Sequence, residues 1–388
     1  MEPAPSERFA RDSMMDFAKS TGLFPEGKNP RRYLWTDAFA VCNFLELFRR
    51  TGDAHYRDLA LRLVEQVHVV LGRHRPDDPR KGWISGLGAR EGERHPTIGG
   101  LRIGKAMNER GPGEPFDEQL EWERDGQYFH YLTKWMHALG RVARITGEPV
   151  YNVWAMELAK TAHARFVRAP SLGGRKGMAW KMSIDLSRPL VPSMGQHDPL
   201  DGLVTFRQLK QAAERDFKGA GPDLSAEIAE MVGICRGGSW VTDDPLGIGG
   251  LLFDACRTVQ WMLREGSDES GLLENILESS LPGLESGAVG RSLSLPAAYR
   301  LAFRELGLSI GMKAVEKMSG WIGNHPKVFG DASKSLTAIL REHAGIGARI
   351  DKFWMERSNR EGESWTGHRD INTVMLATSL APEGFLGT

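Results

Sequence analysis

Carboxylates, histidines and tryptophans recur in this chain where polar loops give way to apolar helical stretches. Six such segments stand out: Tyr33-Leu34-Trp35-Thr36-Asp37, Trp122-Glu123-Arg124-Asp125-Gly126-Gln127-Tyr128-Phe129-His130, Gly195-Gln196-His197-Asp198-Pro199-Leu200-Asp201, Trp240-Val241-Thr242-Asp243-Asp244-Pro245, Leu293-Ser294-Leu295-Pro296 and Trp365-Thr366-Gly367-His368-Arg369-Asp370. All but the fifth carry Asp, and four carry a Trp just upstream. Flat aromatic faces stack on the C–H groups of a pyranose ring, and carboxylates accept its hydroxyls. Asp37, Asp125, Asp201 and Asp243 are therefore candidates for a pair of catalytic carboxyl groups, one protonated and one ionised. His197 and His368, in polar loops just outside helix starts, are candidates for an opposed acid and base. Trp35, Trp122, Trp180, Trp240 and Trp365 are candidate cavity walls, joined by Tyr128, His130 and Gln196. Lys181, Arg124 and Arg369 can bind a carboxylate or phosphate on a substrate.

Each candidate has a plainer reading. Asp is a preferred N-cap, because its carboxylate accepts the first free backbone N–H groups. Asp198-Pro199 and Asp244-Pro245 read as caps followed by Pro at the first helical position. Asp125 and Asp370 fit capping and chemistry equally. A capping Asp stays ionised, so it makes a poor general acid. Capping does not explain Asp243, Asp201 or Asp37. His130 fits a core position as well as a cavity-facing one, and the three cations fit salt bridges to nearby acids. His68 and His163 read as structural, and Trp135, Trp154, Trp261 and Trp354 as core.

No His-Glu-x-x-His and no paired Cys-x-x-Cys occurs, so no metal site is expected. His197, Asp198 and Asp201 offer at most part of one. Gly247-Ile248-Gly249-Gly250 lies inside an apolar helix and not after a strand, which points to close helix packing and not to a dinucleotide loop. There is no Gly-x-Ser-x-Gly elbow, and no cofactor is expected.

The elements that must hold these residues are helices. Thr51-Gly52-Asp53, with Tyr56, Ala60, Leu63 and His68, is repeated as Thr146-Gly147-Glu148, with Tyr151, Ala155, Leu158 and His163 at one constant separation. A repeated helix–turn–helix unit is the signature of a helical array. Periodicity of three and four predicts helices near 5–20, 36–51, 54–74, 126–146, 149–167, 200–217, 223–235, 246–265, 270–281, 296–306, 309–322, 331–342, 346–357 and 370–380. Residues 100–104 and 178–185 suit short hairpins. Short connections such as Glu265-Gly266-Ser267 and Leu306-Gly307-Leu308 alternate with long Gly-, Pro- and Trp-rich ones. Each long connection leads into a helix that is apolar round most of its circumference. Six such helices, each followed by an amphipathic one, describe an inner and an outer ring. All long loops then fall on the face where the inner helices begin.

Composition narrows the class. With 50 basic and 50 acidic residues there is no net basic field for nucleic acid or an anionic membrane. No apolar run is long enough for a membrane span, and the first residues have no signal-peptide pattern. Cys42, Cys235 and Cys256 sit in apolar helical patterns, as reduced thiols of a cytoplasmic protein do.

On this architecture and the Thr-Gly-Asp/Glu-x-x-Tyr turn, the chain resembles the six-hairpin (α/α)6 toroids. These include glycoside hydrolases, unsaturated glucuronyl hydrolases and the N-acylglucosamine 2-epimerase group. The resemblance implies one all-α toroid domain over 1–388, acting on a small-molecule or oligosaccharide substrate in a central cavity. A glycoside hydrolase using paired carboxylates is the first expectation. A sugar epimerase or isomerase using His197 and His368 is the second, since the epimerase group places histidines at inner-helix starts. A non-catalytic carbohydrate-binding toroid is the third.

Overall fold

A computed structural model describes residues 5–169, 176–193 and 195–387. Helix makes up 65% of it and no strand among the described residues exceeds three residues, so the protein is all-α. The chain divides into two compact units, residues 18–237 and residues 1–17 with 238–388. Helix α1 (Pro5–Ser20) crosses the boundary between them.

The first unit contains α2 (Leu34–Thr51), α3 (Ala54–Leu71), α4 (Ala89–Arg94), α5 (Glu118–Glu123), α6 (Phe129–Thr146), α7 (Pro149–Phe166), α8 (Asp198–Arg215) and α9 (Ser225–Cys235). Helices α2, α6 and α8 are buried round most of their circumference. Each packs against the amphipathic helix that follows it, and α6 also packs against both α2 and α8. The two copies of the repeated turn have the same geometry. Gly52 and Gly147 take φ of 70° and 74°, and their N–H groups donate to Phe48 O and Ala143 O. This left-handed position favours Gly because it has no Cβ. Thr51 Oγ1 donates back to Leu47 O and accepts from Asp53 N–H, and Thr146 repeats both bonds with Val142 O and Glu148 N–H.

Short strands dress the loops. β1 (Gln127–Tyr128), β4 (Lys181–Met182) and β5 (Pro189–Val191) form an antiparallel sheet in the order β1-β4-β5, while β2 (Val167–Arg168) pairs with β3 (Gly177–Met178). Tyr128 lies opposite Lys181, and Gln127 opposite Met182. The hairpin expected within 178–185 does not form: β3 and β4 do not pair with each other, and β4 instead turns back onto β5. The 100–104 segment is not a strand; its backbone bonds to Leu71 O and Gly126 O at separate points. Helix α6 starts three residues later than expected because β1 takes Gln127 and Tyr128.

The second unit contains α10 (Pro245–Glu265), α11 (Ser270–Glu285), α12 (Ala288–Ser292), α13 (Ala302–Asn324), α14 (Asp331–Glu342), α15 (Gly345–Met355), α16 (Glu363–Thr366), α17 (Arg369–Leu380) and α18 (Glu383–Leu386). Helices α10, α13 and α17 are the deeply buried ones. Of the expected pair 296–306 and 309–322, residues 302–322 belong to one continuous helix, α13, while Ala297–Tyr299 form a separate 3-10 turn; Leu306-Gly307-Leu308 lies inside α13 and is not a turn. Gly307 serves packing instead. A Cβ on Gly249 of α10 would meet Gly307 O at 2.2 Å, so the two helices approach backbone to backbone. The packing role read for the Gly247–Gly250 run holds at Gly249, whereas a Cβ on Gly250 would meet open space. Helices α13, α15 and α17 are tied by a buried carboxylate: Asp351 accepts from Ser309 Oγ (2.8 Å), Ser379 Oγ (2.5 Å) and Lys313.

All three cysteines are free and buried, and burial pushes the Cys42 and Cys256 thiols up to about 12. Among the described residues no helix is long and apolar enough to cross a membrane.

Candidate active site

Four segments of the first unit bring their aromatic rings into one continuous surface. Trp122 and Trp180 meet edge to face at 5.1 Å between centroids. Trp180 lies against Tyr128 at 5.2 Å and stacks nearly parallel to His130 at 6.2 Å. His130 meets Tyr131 at 4.9 Å and Trp35 at 5.9 Å, and Trp35 continues to Tyr131 and Phe39. Tyr33 closes the row, its hydroxyl 2.8 Å from that of Tyr131. The fold makes this possible through two local events. The β1–β4 pairing sets the 127–131 segment beside Trp180, and packing of α2 on α6 brings Tyr33 and Trp35 to Tyr131. The row grades from the exposed Trp122, through the half-buried Trp180, His130 and Tyr131, to the buried Trp35. Such a surface suits the apolar face of a sugar ring.

A carboxylate adjoins this row. His130 Nδ1 lies 3.6 Å from Asp198 Oδ1. Asp198 is more than nine-tenths buried, and its Oδ2 has no hydrogen-bond partner among the described residues. The expected cap is absent: His197 is the N-cap residue of α8, Asp198 is the first helical residue, and no side-chain cap bond forms. A Cβ on Gly195 would sit 2.6 Å from Asp198 Oδ2, so the glycine leaves the carboxylate its space. A histidine backed by a buried carboxylate can take and return a proton.

The other expected acids of this unit each accept from protein donors. Asp37 accepts the Tyr33 N–H at 2.9 Å and an Arg32 guanidinium N–H at 3.4 Å, which fixes the start of α2. Asp125 is fully buried and accepts from Arg102 (2.5 Å), Arg75 (3.4 Å) and the N–H groups of Gly104 and Gly126 (3.0 Å each). Asp201 accepts from Thr133 Oγ1 and Lys134 Nζ, tying α8 to α6. Lys181 is buried and donates to Glu121 O (2.6 Å), Arg124 O (2.8 Å) and the Glu121 carboxylate (3.1 Å). Burial pulls its ammonium below the usual lysine value. It props the segment that carries Trp122. Arg124 pairs with Glu114. His197 is half-buried and Gln196 exposed.

In the second unit Asp244 does cap α10, accepting from Gly247 N–H at 3.2 Å, and pairs with Arg304 at 2.8 Å. Asp243 beside it is exposed. His368 is exposed at the start of α17 and meets Phe303 edge to face at 5.6 Å, and Arg369 is exposed. Trp240 and Trp365 are both buried, Trp365 against Trp354 at 5.5 Å.

The sequence pattern did not single out Tyr33 or Tyr131, and it marked Asp198 as a cap or as part of a metal site. The aromatic run Tyr128-Phe129-His130-Tyr131 was a legible signal for the second. Asp198 was hidden by its capping motif.

No family model and no curated protein sequence matches the chain. Among solved structures it is similar to the α-1,6-mannanase of Salegentibacter sp. HEL1_6, an inactive variant in complex with α-1,6-mannotetrose. The TM-score is 0.53 at 13% identity, over 98% of this chain and 99% of that one. It is also similar to an α-mannanase of Bacteroides thetaiotaomicron, with TM-score 0.54 at 8% identity over 99% and 98%. A cellobiose 2-epimerase of Spirochaeta thermophila aligns with TM-score 0.48 at 13% identity over 97% and 98%. The mannanase likenesses establish the fold class: the chain is a six-hairpin (α/α)6 toroid.

Proposed function

We propose that the protein is a carbohydrate-active enzyme whose sugar lies on the aromatic row from Trp122 to Tyr33. The observation that carries this reading is His130 beside Asp198 within that row, because it joins a proton-transfer group to a sugar-stacking surface. Glycoside hydrolysis is the first reaction read from it. Asp198 offers a buried carboxyl group with an oxygen unengaged among the described residues, and the solved structures of like fold include α-mannanases. Sugar epimerisation or isomerisation is a second reading, favoured by the imidazole itself, which suits proton abstraction next to a carbonyl.

The test is a panel of α-linked oligosaccharides and free aldoses and ketoses, followed by product release and by mass-neutral conversion. Released reducing ends support hydrolysis, and mass-neutral conversion supports epimerisation. In either case His130→Ala and Asp198→Asn must remove the activity at unchanged fold. Full activity in both variants, or no conversion of any sugar by the unaltered protein, contradicts the proposal.

A further inference from the structure

We infer that Lys105 is an anion-recognition residue of the aromatic row, so that the sugar it selects carries a carboxylate or phosphate group. This rests on the carbohydrate reading above and deepens it. Three observations place Lys105 in that role. First, its ammonium lies over the Tyr33 ring, 5.6 Å from the centroid, at the end of the row where the Tyr33 and Tyr131 hydroxyls meet. Second, it is half-buried, yet it makes no hydrogen bond or ion pair with a described residue. The cations expected from sequence to bind an anion in this unit, Lys181 and Arg124, are both engaged by the protein. A partly desolvated ammonium without a counter-ion gains more from an arriving anion than an exposed one does.

Third, the backbone that carries Lys105 is held from both sides. Arg75 donates to Lys105 O (2.5 Å) and Ala106 O (2.7 Å). Gly104 N–H donates to Asp125, Ile103 N–H to Gly126 O, and Ile103 O accepts from Leu34 N–H at the start of α2. Asp125, consumed by two guanidiniums and two amides, leaves no free charge to neutralise the lysine. It anchors the segment that presents it. A cation on a fixed backbone loses little freedom on binding, which favours specific recognition over diffuse attraction.

The experiment is calorimetric titration of the full chain with mannose, mannuronate and mannose 6-phosphate, and with glucose, glucuronate and glucose 6-phosphate. At least one anionic sugar is expected to bind about tenfold more tightly than its neutral parent, the scale of one charge-assisted hydrogen bond. The two anionic arms distinguish a carboxylate from a phosphate. Lys105→Gln should abolish that preference and leave the neutral arm unchanged, while Lys105→Arg should keep it, with unfolding curves confirming that both variants fold. Equal binding of neutral and anionic sugars overturns the inference and leaves the carbohydrate reading standing. So does a preference that survives in Lys105→Gln. Failure of every sugar to bind overturns both.

Discussion

Asp125 and Asp198 are the same residue type, both buried, both beside the start of a deeply buried helix of the first unit. Asp125 accepts from two guanidiniums and two backbone N–H groups. Asp198 has a histidine at 3.6 Å and one oxygen with no partner among the described residues. A buried charge that is fully hydrogen-bonded fixes structure, while one left short is a strained group whose partner is supplied by something else. The contrast separates a carboxylate saturated by protein donors from one with an oxygen left unengaged by the described residues. It extends to the cations, where Lys181 is saturated and Lys105 is not.

The largest expected effect tests the saturated side. Asp125→Ala leaves Arg102 without its carboxylate in a buried site and should cost about 3–5 kcal/mol, measured by denaturant unfolding. A loss under about 1 kcal/mol would erase the contrast with Asp198.

The next concerns His68, whose saturation is of another kind. Buried and accepting from the Trp135 indole N–H at 3.2 Å, it is held neutral, with its pKa pushed down to about 3. An unfolded histidine takes up its proton near 6.5. The stability from this group is therefore full above that pH and lost as pH falls toward 3. At pH 4.5 the loss is about 3 kcal/mol. Unfolding curves at pH 7 and pH 4.5 should show a smaller pH difference for His68→Gln than for the unaltered protein. Equal differences would show that His68 is not held neutral.

Gly249→Ala places a Cβ against Gly307 O and should cost about 1–3 kcal/mol by forcing α10 from α13. It shows what a close contact costs where no charge is involved. Thermal unfolding reads this, and Gly250→Ala, facing open space, is the matched control that should not destabilise.

The smallest stability effect is expected at Asp198. Replacing a buried, incompletely bonded carboxylate by Asn should change stability by less than about 1 kcal/mol, in either direction. Activity should nevertheless fall by about 100-fold or more, as loss of a proton-transfer partner does. A large destabilisation would place Asp198 with Asp125 among the structural acids.

Much of the fold was legible because helical periodicity and turn chemistry are local. Tyr56 to Leu71 shows its buried stripe in the sequence, and Thr51-Gly52-Asp53 and Thr146-Gly147-Glu148 announce their left-handed glycines. The misreading at Leu306-Gly307-Leu308 has a physical reason. A glycine flanked by leucines signals a turn when read locally, but here it removes a side chain so that a second backbone can approach. The site was legible in residue type and less so in role. Trp122, Trp180, Tyr128 and His130 do meet, whereas Asp37, Asp125 and Asp201 are committed to protein donors from distant segments that no local pattern reveals.

The amino-acid sequence by itself determined an all-α array of hairpins, with its aromatic and ionisable residues gathered at the starts of the buried helices. Spacing, capping chemistry and hydrophobic period suffice for that. Only the tertiary structure decided which of those groups are already satisfied. Arg102 reaches Asp125 and Lys134 reaches Asp201 across long sequence separations, and among the described residues no comparable partner reaches Asp198 Oδ2 or Lys105. Hydrogen-bond saturation depends on donors brought from elsewhere in the chain, so it exists only once the chain is folded.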